Sequence, residues 1–102
     1  MVLAVLGLNH KTVSVDIREK FSISEESARE GLLHLSEQTG IKEAVVLSTC
    51  NRTEIYAVLK DEEDKEELYR FFLTLSGNSK AEKEYFFFYT GTECIRRLFR
   101  VV

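Results

Sequence analysis

Apolar positions along this chain fall into short runs and helical stripes separated by polar punctuation. Residues 2–9 read as a buried strand, an apolar run that stops at Gly7 and the turn-prone Asn9. A polar connection over 10–23 leads to a helix predicted over 25–38. Either Ser22 or Ser24 can cap it, Glu25 and Glu26 complement its N-terminus, and Ala28, Gly31, Leu32 and Leu35 form one buried face before Gly40 ends it. Residues 43–49 have the β-branched content of a central strand. Thr53 to Lys60 then alternate, with Ile55, Ala57 and Leu59 on one face and Glu54, Tyr56, Val58 and Lys60 on the other. The short Cys50-Asn51-Arg52 link makes the two an antiparallel hairpin. After a solvated acidic turn, Asp61 to Asp64, the spacing of Leu68, Phe71, Phe72 and Leu75 predicts a second helix closed by Gly77-Asn78. Tyr85 to Tyr89 is an aromatic strand. Ile95, Leu98, Phe99 and Val102 open a third amphipathic helix with Arg96, Arg97 and Arg100 opposite that stripe.

The order is β-α-β-β-α-β plus a trailing C-terminal helix, and two helices against one face of an antiparallel sheet is the economical packing. The expectation is an α+β, ferredoxin-like sandwich over 1–90, with 91–102 the start of a helix that stops without a C-cap, as in a chain cut from a longer protein. A length of 102 residues with 44% hydrophobic content suits one domain. No apolar run could span a bilayer, and the apolar start has no basic residue ahead of it, so a cytoplasmic protein without membrane contact is expected. Net charge −3 excludes a broad phosphate-binding surface and leaves only local nucleic-acid contacts. Cys50 and Cys94 lack the spacing of a zinc site and read as free thiols.

Chemistry concentrates in Ser48-Thr49-Cys50-Asn51-Arg52-Thr53-Glu54, a polar stretch directly after a buried strand. It is either a hairpin turn with a half-buried cysteine, or a rigid strand end presenting a nucleophile beside a guanidinium that can pair with a substrate carboxylate. His10 reads as a structural hydrogen-bonder, His34 as a boundary residue on the first helix, and Cys94 as a small semi-buried residue without a catalytic role. A rival class is a non-catalytic ferredoxin-like module binding an acidic metabolite through Arg52, or RNA through the aromatic run. The strand from Arg52 to Lys60 lacks the glycine of an RNA-recognition signature, which leaves core packing as the use of those rings.

Gly7-Leu8-Asn9-His10-Lys11-Thr12, Ile17-Arg18-Glu19-Lys20 and Ser48-Thr49-Cys50-Asn51-Arg52-Thr53-Glu54-Ile55-Tyr56 closely resemble signature segments of glutamyl-tRNA reductases. Leu98-Phe99-Arg100-Val101-Val102 resembles the start of the family's third motif. The resemblance implies an NADPH-dependent oxidoreductase of porphyrin and tetrapyrrole biosynthesis. Its cysteine, matching Cys50, takes the glutamyl group from glutamyl-tRNA(Glu) as a thioester, which hydride reduces to glutamate-1-semialdehyde. Arg52 matches the arginine that grips the glutamate carboxylate, and Thr49 matches a hydroxyl that contacts substrate. It also implies NADPH-binding and dimerisation domains outside this chain, a homodimer, a partnership with glutamate-1-semialdehyde aminomutase, and no reduction by this chain alone. Two departures stand out. Val13-Ser14 replaces an Ala-Pro step, and Arg97 stands where the family usually has a histidine assisting acyl transfer. Arginine cannot act as a base, but it can donate to an oxyanion or to tRNA.

Overall fold

The computed structural model describes residues 1–11, 13–35, 39–49 and 51–101, Val101 as backbone only. Four strands, β1 (Val2–Leu8), β2 (Ile41–Ser48), β3 (Thr53–Leu59) and β4 (Phe86–Thr90), form one antiparallel sheet in the order β2-β3-β1-β4. Helices α1 (Val15–Lys20) and α2 (Glu25–Leu33) connect β1 to β2, α3 (Lys65–Ser76) connects β3 to β4, and α4 (Gly91–Val101) follows β4. This is the expected ferredoxin-like arrangement with its trailing helix.

Side-chain alternation sorts the sheet into two faces. Ala4, Leu6, Leu8, Ile55, Ala57 and Leu59 point to the main core, where Leu68, Phe72 and Leu75 of α3 close over them. The aromatic strand serves packing here: Phe86 meets Phe72 and Tyr69 edge-on, with ring centroids 5.1 and 5.2 Å apart. The opposite face carries Val5, Tyr56 and Phe87, and α4 covers it through Cys94.

Local chemistry explains the element ends. Ser24, rather than Ser22, caps α2 by accepting from the Ser27 amide at 3.0 Å. The helix ends at His34, earlier than periodicity suggested, and the last predicted turn, 36–38, lies outside the described residues. The polar connection contains α1, capped by Ser14, which a six-residue helix with no buried residue did not announce through periodicity. Asp61 to Asp64 is a 3-10 turn closed by a reciprocal capping box. Gly77 ends α3 at φ +77°, a left-handed position that favours glycine.

Candidate active site at the β2–β3 turn

The turn between β2 and β3 is organised by Thr49. Its amide donates to the Arg52 carbonyl at 2.7 Å, and its hydroxyl oxygen accepts from the amides of Asn51 and Arg52 at 3.2 and 3.1 Å. Cys50, between Thr49 and Asn51 in sequence, lies outside the described residues. Ser48 ties the turn to the crossover between β1 and β2, accepting from the Ile23 amide at 3.1 Å. Between these segments opens a cleft of about 380 Å³ lined by Arg18, Ser22, Ser48, Thr49, Asn51 and Arg52. The predicted site residues Thr49 and Arg52 thus share one cavity, joined by a cation from α1 that periodicity and composition did not single out.

Behind the turn sits a polar cluster on the α4 face of the sheet. Glu54 is fully buried, opposite Gly7 of β1, which in turn faces Phe87 of β4. A Cβ at Gly7 would stand 2.7 Å from the Phe87 ring and 2.8 Å from Glu54 Cγ, so glycine is what lets both side chains cross that strand. Glu54 Oε1 accepts from the Tyr56 hydroxyl at 2.8 Å. Its Oε2 accepts from Arg97 Nη2 and Nε at 2.6 and 3.2 Å and forms an ion pair with Arg52 Nη1 at 3.5 Å. Arg97 is therefore not on the outer face of α4 opposite an apolar stripe. It turns inward with a side chain only 16% exposed, its guanidinium 4.5 Å from the Phe87 centroid, while Phe99 of the predicted stripe is 73% exposed. Arg96 keeps to the surface with Glu93. Val102, the stripe's last member, lies outside the described residues.

Electrostatics follow from this gathering of cations. Burial holds the His10 imidazole below its ordinary range, and the positive charges of Arg52, Arg97, Lys11 and Arg18 push the same way. The Tyr56 phenol is pushed well above its ordinary range by burial, then by its bond to Glu54 and that carboxylate's charge. The Cys94 thiol is raised by burial alone. In a chain of net charge −3, this end of the sheet is locally positive and suited to an anionic group. Glu54 and Tyr56 did leave a signal: both fall on the strand face opposite the apolar one, two residues apart, in a segment too central to be solvated.

Comparison with known proteins agrees with the motifs. The family model for the glutamyl-tRNA(Glu) reductase N-terminal domain matches residues 6–102. The glutamyl-tRNA reductase of Desulforudis audaxviator is 41% identical over 102 residues, covering 99% of this chain and 23% of that relative. The one from Synechocystis is 44% identical over 103 residues, covering 99% and 24%. Among solved structures, the glutamyl-tRNA reductase from Methanopyrus kandleri superimposes with a TM-score of 0.67 at 28% identity, covering 97% of this chain and 21% of that one. The chain spans about a quarter of the length of the curated relatives it matches.

Proposed function

Because this chain belongs to the glutamyl-tRNA reductase family and corresponds to its N-terminal domain, we propose that it binds the glutamyl end of glutamyl-tRNA(Glu) and accepts the acyl group on Cys50. The observation that carries this reading is the cleft at the Thr49–Arg52 turn, which gathers Arg18, Thr49 and Arg52 in one cavity. The Cys50 thiolate attacks the ester carbonyl, the new carbon–sulfur bond replaces the carbon–oxygen bond to the tRNA, and the released ribose oxygen takes up a proton to become the terminal hydroxyl. A thiol suits the step because thiolates are strong nucleophiles near neutral pH and thioesters are more electrophilic than esters toward hydride. Arg52 receives the substrate carboxylate, and Thr49 holds the turn and offers its hydroxyl proton to the substrate, while Arg97, held by Glu54 behind the turn, contributes to the local positive charge without lining the cleft.

The residues described here do not fit a dinucleotide. Gly7, Gly31 and Gly40 are closed over by the side chains of Phe87, Leu75 and Asp64, and Gly77 and Gly91 are isolated left-handed positions at element ends. NADPH belongs, in this reading, to a domain outside the chain, where it supplies the hydride that yields glutamate-1-semialdehyde, the first step of tetrapyrrole synthesis. The chain then divides into the ferredoxin-like unit at 1–90 and a helix from 91 leading onward. A cytoplasmic homodimer assembled through a distant segment, passing product to an aminomutase, completes the proposal.

The test is Cys50→Ser in the full-length protein. An alkoxide is hardly accessible at neutral pH and an oxygen ester accepts hydride poorly, so turnover should fall below detection and the glutamyl adduct should vanish from the intact mass. Near-normal turnover by that variant would remove Cys50 from the mechanism.

A further inference from the structure

Arg18 projects from a six-residue helix with no fully buried residue, yet it lines the same cleft as Thr49 and Arg52. Its Nε is buried and makes no hydrogen bond, and so is Arg52 Nη1. Among the described residues no carboxylate forms an ion pair with Arg18. The carboxylate paired with Arg52 among the described residues is already committed, since Glu54 gives Oε1 to Tyr56 and Oε2 to Arg97 at the shorter distance. Two guanidiniums thus line one cleft, each with a buried donor that no hydrogen bond meets, and such an arrangement favours an anionic group arriving from outside. The remaining ionic group lining the cleft, Glu19, leaves an excess of one positive charge there. Two cations and one anion complement a glutamyl group, which carries a side-chain carboxylate and an α-ammonium.

We infer that Arg18 is a specificity-determining residue, the second arm of a two-arginine clamp that closes with Arg52 on the side-chain carboxylate of the incoming aminoacyl group. The inference rests on the acyl-transfer reading above and adds a residue from a separate element to it. Arg52 comes from the β2–β3 turn and Arg18 from the β1–β2 crossover, so the clamp spans two segments that Ser48 and the Ile23 amide hold together. A carboxylate held from both sides is distinguished from an isosteric amide far better than by one guanidinium, because the amide leaves buried charge unpaired.

Single-turnover acylation of Cys50 by the full-length protein tests this, comparing tRNA(Glu) charged with glutamate against the same tRNA charged with glutamine. Arg18→Gln should cut the preference for glutamate by about tenfold or more, with Arg18→Lys, which keeps the charge but loses the planar fork, restoring part of it. An unchanged preference in Arg18→Gln, alongside a lowered one in Arg52→Gln, would leave the Arg52 contact standing and remove Arg18 from the clamp. Equal weakening of both substrates would make Arg18 an RNA-phosphate contact and overturn the inference. If neither arginine variant moved the preference, the acyl-transfer reading of the cleft would fall, and this inference with it.

Discussion

Glu54 shows how one side chain fixes the character of a site it does not line. A carboxylate with no solvent exposure is tolerated only when its charge and lone pairs are met, and here Arg97, Arg52 and the Tyr56 hydroxyl meet them. Glu54→Gln should lower the unfolding free energy by about 3 kcal/mol, because it strands buried guanidinium charge, and urea denaturation reads this directly. The same cluster sets a pH dependence. Tyr56 keeps its proton in the fold at pH values where the unfolded chain, with an ordinary value of 10.0, loses it. Above that pH the unfolded state binds fewer protons than the native state, so stability is present below about pH 10 and declines as pH rises further. In Glu54→Gln the phenol loses its carboxylate partner, and its ionisation, followed by ultraviolet absorbance, should move down toward the ordinary phenol range. An unshifted Tyr56 would mean that burial alone holds it up.

Among the elements, the strands were legible from their short apolar or alternating runs, and the helix α3 from the helical spacing of Leu68, Phe72 and Leu75, all buried. The helix α4 was legible as a helix, but the face it turns to the sheet was not, for a physical reason. Periodicity assumes that apolar residues face the protein, yet the sheet face beneath α4 offers a buried carboxylate and the Phe87 ring, and a guanidinium satisfies both. The helix is accordingly turned to bury Cys94 and Arg97, and Ile95, Leu98 and Phe99 remain partly or largely exposed. At the candidate site, Arg52 was legible from its place beside a cysteine in a polar turn, whereas Arg18 became visible only once the crossover was folded back against that turn. The rotation of α4 makes Cys94 a reporter for the helix. Its thiol, buried and raised by burial, should resist iodoacetamide while α4 is docked. Arg97→Ala removes the bonds that tie α4 to β3, and peptide mapping should then show Cys94 alkylated about tenfold faster or more, through local opening of that helix. An unchanged rate would show that apolar contacts, not the Arg97–Glu54 pair, hold α4 down.

At the scale of the whole molecule, the proposed function casts this chain as a binding and acylation unit. The β1–β2 crossover and the β2–β3 turn bring cations to one end of the sheet, while the other glycine-containing positions are taken up by packing and caps. Net charge −3 is spread elsewhere, so the attraction for an anionic acyl group is local and short in range, screened within about 8 Å at physiological salt. The consequence concerns the 102-residue chain by itself. Incubated with glutamyl-tRNA, it should acquire a glutamyl mass on Cys50 and release glutamate slowly as water hydrolyses the thioester. Added NADPH should change neither the adduct nor the product, and calorimetric titration should register no dinucleotide binding, since Gly91, between β4 and α4, stands as a single glycine and not in a glycine-rich phosphate loop. The two measurements separate the two halves of the idea. Tight NADPH binding would overturn the division of labour between this chain and the rest of the protein, and an adduct mapped to any residue other than Cys50 would relocate the nucleophile while leaving the fold and the family untouched.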